Sequence, residues 1–127
     1  LPEPSGASAH APILSPADIG AFAAEPALRE ELLRSLDTML AFYGLRRSGA
    51  QEAVTIARGP GYAERSADWL DRPHNFLRIS RILRCLALLG CAPEARAFLQ
   101  CLEAIHRENA DAIGSDTLGY WRRAAAS

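Results

Sequence analysis

The stretch HNFLRISRILRCLALLG, His74 to Gly90, constrains this chain more than any other. It is too apolar for a surface helix and carries too much arginine for an ordinary core one. Wound at about 100° per residue, it puts Phe76, Ile79, Leu83 and Leu86 on one face. Ile82 and Leu89 flank that face, while Leu77 and Leu88 fall nearly opposite. A narrow stripe of His74, Arg78, Arg81 and Cys85 lies between the two apolar zones. The pattern predicts a central helix packed on two sides, with a cationic seam between them. An arginine keeps its charge when buried, so Arg78 and Arg81 need carboxylates, backbone carbonyls or a bound anion.

A chain of 127 residues, 49% hydrophobic, is sized for one domain around one core. Only 7% is aromatic, and Ala and Leu supply most of the apolar content, which favours helices over sheets. Cys85, Cys91 and Cys101 form an odd set without a C-x-x-C pair. Buried free thiols are expected, and with them a reducing, cytoplasmic location. No apolar run approaches the roughly eighteen residues of a membrane span, and no secretory signal is visible.

The net charge of −1 conceals an asymmetry. Residues 1–45 hold two arginines against six acids, residues 46–84 eight against four, and residues 85–127 four against five. The plain reading is acidic helices packed beside a basic one. The sharper reading is a basic face for nucleic acid or another polyanion, disfavoured because such binders usually carry net positive charge.

Residues 1–14 read as a proline-punctuated lead-in. Ser15, Pro16 and Asp18 then start a short helix that ends near Ala24, before Pro26. Pro26 opens a longer helix through Tyr43, stopped by Gly44, with Leu28, Leu32, Leu36, Met39, Leu40 and Tyr43 inward. Residues 45–61 change character and read as a loop, with at most a short extended piece at Val54 to Ile56. Tyr62 to Leu70 is a short helix anchored by Tyr62 and Trp69. After the central helix, Pro93 opens another that turns Ala95, Phe98, Leu99, Leu102 and Ile105 inward. Ser115 caps a last one with Leu118, Trp121 and Ala125 on its apolar side. No internal repeat and no well-supported strand is visible.

Few residues carry the spacing of known chemistry. Glu103 and His106 stand three apart, as in di-iron bundles, but no second Glu-x-x-His accompanies them, so neither a metal nor another cofactor is expected. The GPG at 59–61 is a turn, since it lacks the glycine spacing and Lys-Ser/Thr of a phosphate loop. No G-x-S-x-G is present, so the expectation is a protein without catalytic residues. Trp69, Tyr62, Trp121 and Tyr120 are read as packing residues and not as a base-stacking platform. His74, Asn75, Arg78 and Arg81 remain. Either the two arginines pair with acids such as Asp37, Glu30 or Asp116, or the four line a groove near a helix start that favours anions.

Several blocks resemble one family. LPEPS at 1–5, APIL with the following Ser-Pro at 11–16, MLAFYGL at 39–45, Trp69, HNFLRISRIL at 74–83, Gly90 and the YW at 120–121 are similar to the conserved domain of the opioid growth factor receptor family. The HN-x-LRI-[ST]-RIL block is the most specific of them. By composition and brevity the chain looks like a compact bacterial-type member. The resemblance implies a receptor-like role, since eukaryotic members are described as receptors for an enkephalin peptide. It also places a block resembling HDYIQWLFP upstream of LPEPS, so a domain truncated on its N-terminal side is expected.

The reading is therefore an all-α domain, residues 1–127, of five or six helices around the helix at 74–90. Its expected function is non-catalytic binding of a peptide or protein, whose carboxylate an arginine pair could hold bidentately. The alternative is a nucleic-acid or phosphate-ligand domain that adds Arg46, Arg47 and Arg84 to the central helix's arginines.

Overall fold

The computed structural model describes residues 20, 21 and 24–127. The lead-in and most of the short helix expected over 15–24 lie outside the described residues; Gly20, Ala21 and Ala24 are helical. Five α-helices follow: α1 (Pro26–Phe42), α2 (Tyr62–Trp69), α3 (His74–Leu88), α4 (Ala92–Glu108) and α5 (Ser115–Ala125). Each lies where apolar periodicity places it, so the all-α bundle and its central helix stand. Helix α3 packs against α5, the most extensive contact between two elements, and against α4.

Local chemistry sets the helix ends. Pro26 takes the first turn of α1, where a missing N–H costs nothing. Gly44 ends that helix at φ +76°, and a Cβ there would meet the Tyr62 Cα at 2.6 Å. Only glycine fits this close approach of backbone to backbone. Gly90 performs the corresponding turn after α3 at φ +86°. The cap of α5 is Gly114, at φ +63°, and not Ser115, which is already the first helical residue.

Residues 45–58 form more structure than a loop. Leu45–Ser48 (β1) and Thr55–Arg58 (β2) pair antiparallel, with Leu45 opposite Arg58 and Ser48 opposite Thr55, around a 3-10 turn at Gln51–Ala53. Leu45, Val54 and Ile56 are buried, while most of their neighbours face solvent. The hairpin lies between two helices, β1 against α1 and β2 against α4.

The core is one continuous cluster from Leu32, Leu36 and Leu40 of α1 to Trp121 of α5. A chain of edge-to-face rings crosses it. Tyr43 meets Trp69 at 5.4 Å between centroids, Trp69 meets Phe76 at 6.4 Å, and Phe76 meets Trp121 at 5.9 Å. Both indoles are fully buried, and each N–H needs a partner. Trp69 Nε1 donates to the Tyr43 carbonyl at 3.0 Å, and Trp121 Nε1 to the Phe76 carbonyl at 2.9 Å. These bonds pin the end of α1 to α2, and α5 to the first turn of α3. Among the described residues no helix is long and apolar enough to cross a membrane.

Candidate functional site

Helix α3 is packed on one side and not on two. Asn75, Phe76, Ile79, Ile82, Leu83, Cys85, Leu86 and Leu89 are buried. Leu77, assigned by the helical wheel to a second apolar face, is 56% exposed. The expected cationic seam is therefore mostly open to water. His74 and Arg78 are exposed, Arg81 is half-buried, and Cys85 alone lies in the core.

The four candidate residues have different surroundings. Asn75 is buried, and its Oδ1 has no hydrogen-bond partner. Arg78 neighbours the Tyr43 phenol, which burial pushes up to about 12 although the guanidinium pulls it down. The expected acid Asp37 is already taken, because Arg47 donates to both its carboxylate oxygens at 2.8 and 3.0 Å. Arg81 makes no ion pair among the described residues. It points into a groove between α3 and α5.

That groove encloses about 640 Å³. One wall is Pro73, Leu77, Ser80, Arg81 and Arg84, residues that recur every three or four along the solvent side of α3. The other wall is Thr117, Tyr120, Arg123, Ala124 and Ser127, at matching spacing on and just beyond α5, and Phe76 contributes to the lining. Tyr120 is 60% exposed, and the Arg123 guanidinium stacks over its ring at 4.8 Å from the centroid. Among the described residues no carboxylate lines the groove. The result is an apolar trough carrying guanidinium donors on both walls, suited to a ligand with an anionic group and an apolar body.

Of the four residues named from sequence, Arg81 alone lines this groove. Tyr120, Arg123 and Leu77 were not among them. An aromatic with an arginine three residues on is a usable signal, but Tyr120 sits beside Trp121, and in sequence the two read together as packing residues. Trp121 does pack; its neighbour does not.

A second, smaller hollow of about 380 Å³ lies where the end of α1, β1 and the GPG turn meet, with Arg46, Arg47 and Arg65 around it. Asp37 lies there too, neutralising Arg47. Elsewhere, Glu103 accepts from Arg122 Nε and Nη2 at 3.0 and 2.9 Å. Half-buried His106 keeps Nε2 without a partner. Among the described residues, no three His, Cys, Asp or Glu side chains converge as metal ligands. None of the three cysteines is in a disulfide and all are buried, and burial pushes the Cys91 and Cys101 thiols up to about 11.

Residues 2–126 match the family model described as the opioid growth factor receptor (OGFr) conserved region. The chain is 34% identical over 125 residues to the opioid growth factor receptor of Homo sapiens, across 95% of this chain and 18% of the human protein. It is 33% identical to the receptors of Mus musculus and Rattus norvegicus, again over 95% of this chain and over 19% and 21% of theirs. The chain thus spans about a fifth of the length of these relatives. No solved structure matches it. A match over nearly every residue decides the matter: the chain belongs to the opioid growth factor receptor conserved-region family.

Proposed function

We propose that this domain is a non-catalytic binding module that takes a peptide bearing an acidic group in the groove between α3 and α5. The observation that carries the reading is Arg81, a half-buried cation without a carboxylate partner among the described residues, in an otherwise apolar trough. A bidentate bond to a ligand carboxylate would complete its hydrogen bonding. Leu77, Phe76 and Ala124 would take the peptide's apolar side chains. The related proteins are named as receptors of a growth factor, which agrees with a binding role. Of the sequence candidates, Arg81 is the proposed contact; His74, Asn75 and Arg78 do not line the groove. The three unbridged thiols fit a reducing, cytoplasmic setting.

The nucleic-acid alternative has less support. Arg47 is tied to Asp37, so the basic residues do not form a continuous track, and the whole chain is net negative. Fluorescence anisotropy with a short aromatic peptide, as the free acid and as the C-terminal amide, tests the proposal. Tighter binding of the acid, lost in Arg81→Gln, is the expected result. Equal binding of acid and amide would overturn it, and a steep salt dependence with single-stranded DNA would favour the alternative.

A further inference from the structure

Resting on the peptide-binding reading above, we propose that the preferred anion is a dianionic phosphoryl group, carried on a tyrosine of the bound peptide. The groove offers more positive charge than one carboxylate can answer. Arg81 on α3 and Arg123 on α5 line opposite walls, and neither meets a carboxylate among the described residues. Arg84 lines the same groove. A single carboxylate has two oxygens and one charge, and saturates one guanidinium fork. A phosphate monoester carries about −1.5 to −2 charges at neutral pH and three acceptor oxygens, enough for forks from both helices at once. Arginine is suited to this role because its planar donors match phosphate geometry and it remains charged.

The volume and lining select the group that bears the phosphate. A space of about 640 Å³ is far larger than an isolated phosphate needs. Its walls expose Leu77 and the ring of Tyr120, and Phe76 contributes to the lining. An aromatic ring can rest on these surfaces while its phosphate reaches the arginines; a phosphoserine, with one methylene, would leave them wet. Arg123 already stacks on Tyr120 and is thereby held at the groove with its N–H edge free to donate. A peptide is favoured over a polynucleotide because the chain carries a net charge of −1, and on the hairpin side Asp37 and Glu108 neutralise Arg47 and Arg58 and so interrupt the basic surface around Arg46 and Arg65.

The test is titration calorimetry on the whole chain with one decapeptide in three forms: tyrosine-phosphorylated, unphosphorylated, and with glutamate in place of the tyrosine. Phenyl phosphate and inorganic phosphate form separate arms. The phosphorylated form should bind at least tenfold more tightly than the glutamate form. Arg123→Gln should abolish that advantage and Arg81→Gln should do the same, with circular dichroism unchanged; Arg123 is exposed, so its variant remains informative if Arg81→Gln disturbs the fold. Phenyl phosphate should bind measurably and inorganic phosphate much more weakly. If the acidic peptides bind but phosphorylation adds nothing, this inference fails and the peptide-binding reading survives. If no peptide binds, both fail. If inorganic phosphate matches the phosphopeptide, the aromatic carrier is wrong.

Discussion

The two sides of this bundle use arginine in opposite ways. On the hairpin side three arginines have carboxylate partners: Arg47 with Asp37 joins β1 to α1, Arg58 with Glu108 joins β2 to α4, and Arg96 with Glu52 joins α4 to the turn between the strands. On the groove side, Arg81 and Arg123 have none among the described residues, and Arg123 rests on an aromatic face instead. An ion pair that joins two elements is structural by construction, because its energy is realised only when the fold is complete. On the function proposed above, the groove cations take their partner from a bound ligand. Residue type is the same in both places, and what differs is the company each guanidinium keeps.

The groove side stands on α3, and the largest effect tests that foundation. Leu83 and Leu86 are fully buried beneath the groove. Replacing either with alanine should cost roughly 2–5 kcal/mol, the range for truncating a buried leucine. Chemical denaturation measures this directly. A nearly neutral result at both positions would mean that the helix presents another face to the core, and the groove would vanish with it.

A smaller effect belongs to the hairpin side. Arg47 is only 20% exposed and binds Asp37 through two parallel hydrogen bonds, so this pair should lie at the upper end of the usual surface range. Asp37→Asn is expected to cost up to about 1 kcal/mol, less at high salt. If unfolding at 50 mM and 1 M salt gave the same small loss, the electrostatic account of the hairpin would be wrong.

The pH dependence has a sign on each flank. Hydrogen bonds from Arg58 hold the Glu108 carboxyl below its ordinary value. Its contribution is therefore present above the unfolded glutamate range and fades as pH falls through the folded value. Arg58→Gln should flatten that acid limb. The thiols act in the opposite direction. Cys91 and Cys101 rise from an ordinary 9.0 to about 11, so folding keeps their protons. That stabilisation is complete below pH 9 and is lost as pH climbs toward 11. Thiol-reagent kinetics at pH 8 should show both cysteines nearly inert until the chain unfolds; rapid labelling in the folded state would contradict their burial.

The contrast between the two sides was only partly legible in the sequence. Helical periodicity placed all five helices, because Leu32, Leu36 and Leu40, or Phe98, Leu102 and Ile105, repeat over several turns and leave one solution. The hairpin escaped because four residues per strand hold barely two alternations, and LRRS carries two arginines whose stems lie at a strand edge. The Leu45 and Ile56 anchors become visible only once α1 and α4 approach. The wheel of α3 was sound as geometry: His74, Arg78, Arg81 and Cys85 do share a stripe. What a wheel cannot contain is the number of neighbours, and a leucine such as Leu77 looks like core whether or not a helix arrives to cover it. The groove depends on where α5 docks, which is fixed by the Trp121 bond to the Phe76 carbonyl, a contact 45 residues apart in the chain.

The smallest expected effect separates the two sides most sharply. Arg81→Gln and Arg123→Gln break no ion pair among the described residues, so neither should leave a buried carboxylate unpaired. Each removes one positive charge from a groove that Arg81 and Arg123 both line, with no acid among its described lining residues. Relief of that repulsion offsets the lost alkyl packing, and stability should change by no more than about 0.5 kcal/mol in either direction. A slight gain at low salt that disappears at high salt would mark the electrostatic origin. Sulfate sharpens the measurement: it should stabilise the unaltered chain more than either variant, because an anion that binds only the folded state raises its apparent stability. Denaturant unfolding of the three proteins with and without sulfate reads all of this together. A loss of several kcal/mol in the absence of any anion would show Arg81 or Arg123 to be structural after all, and the groove side would then work on the same terms as the hairpin side.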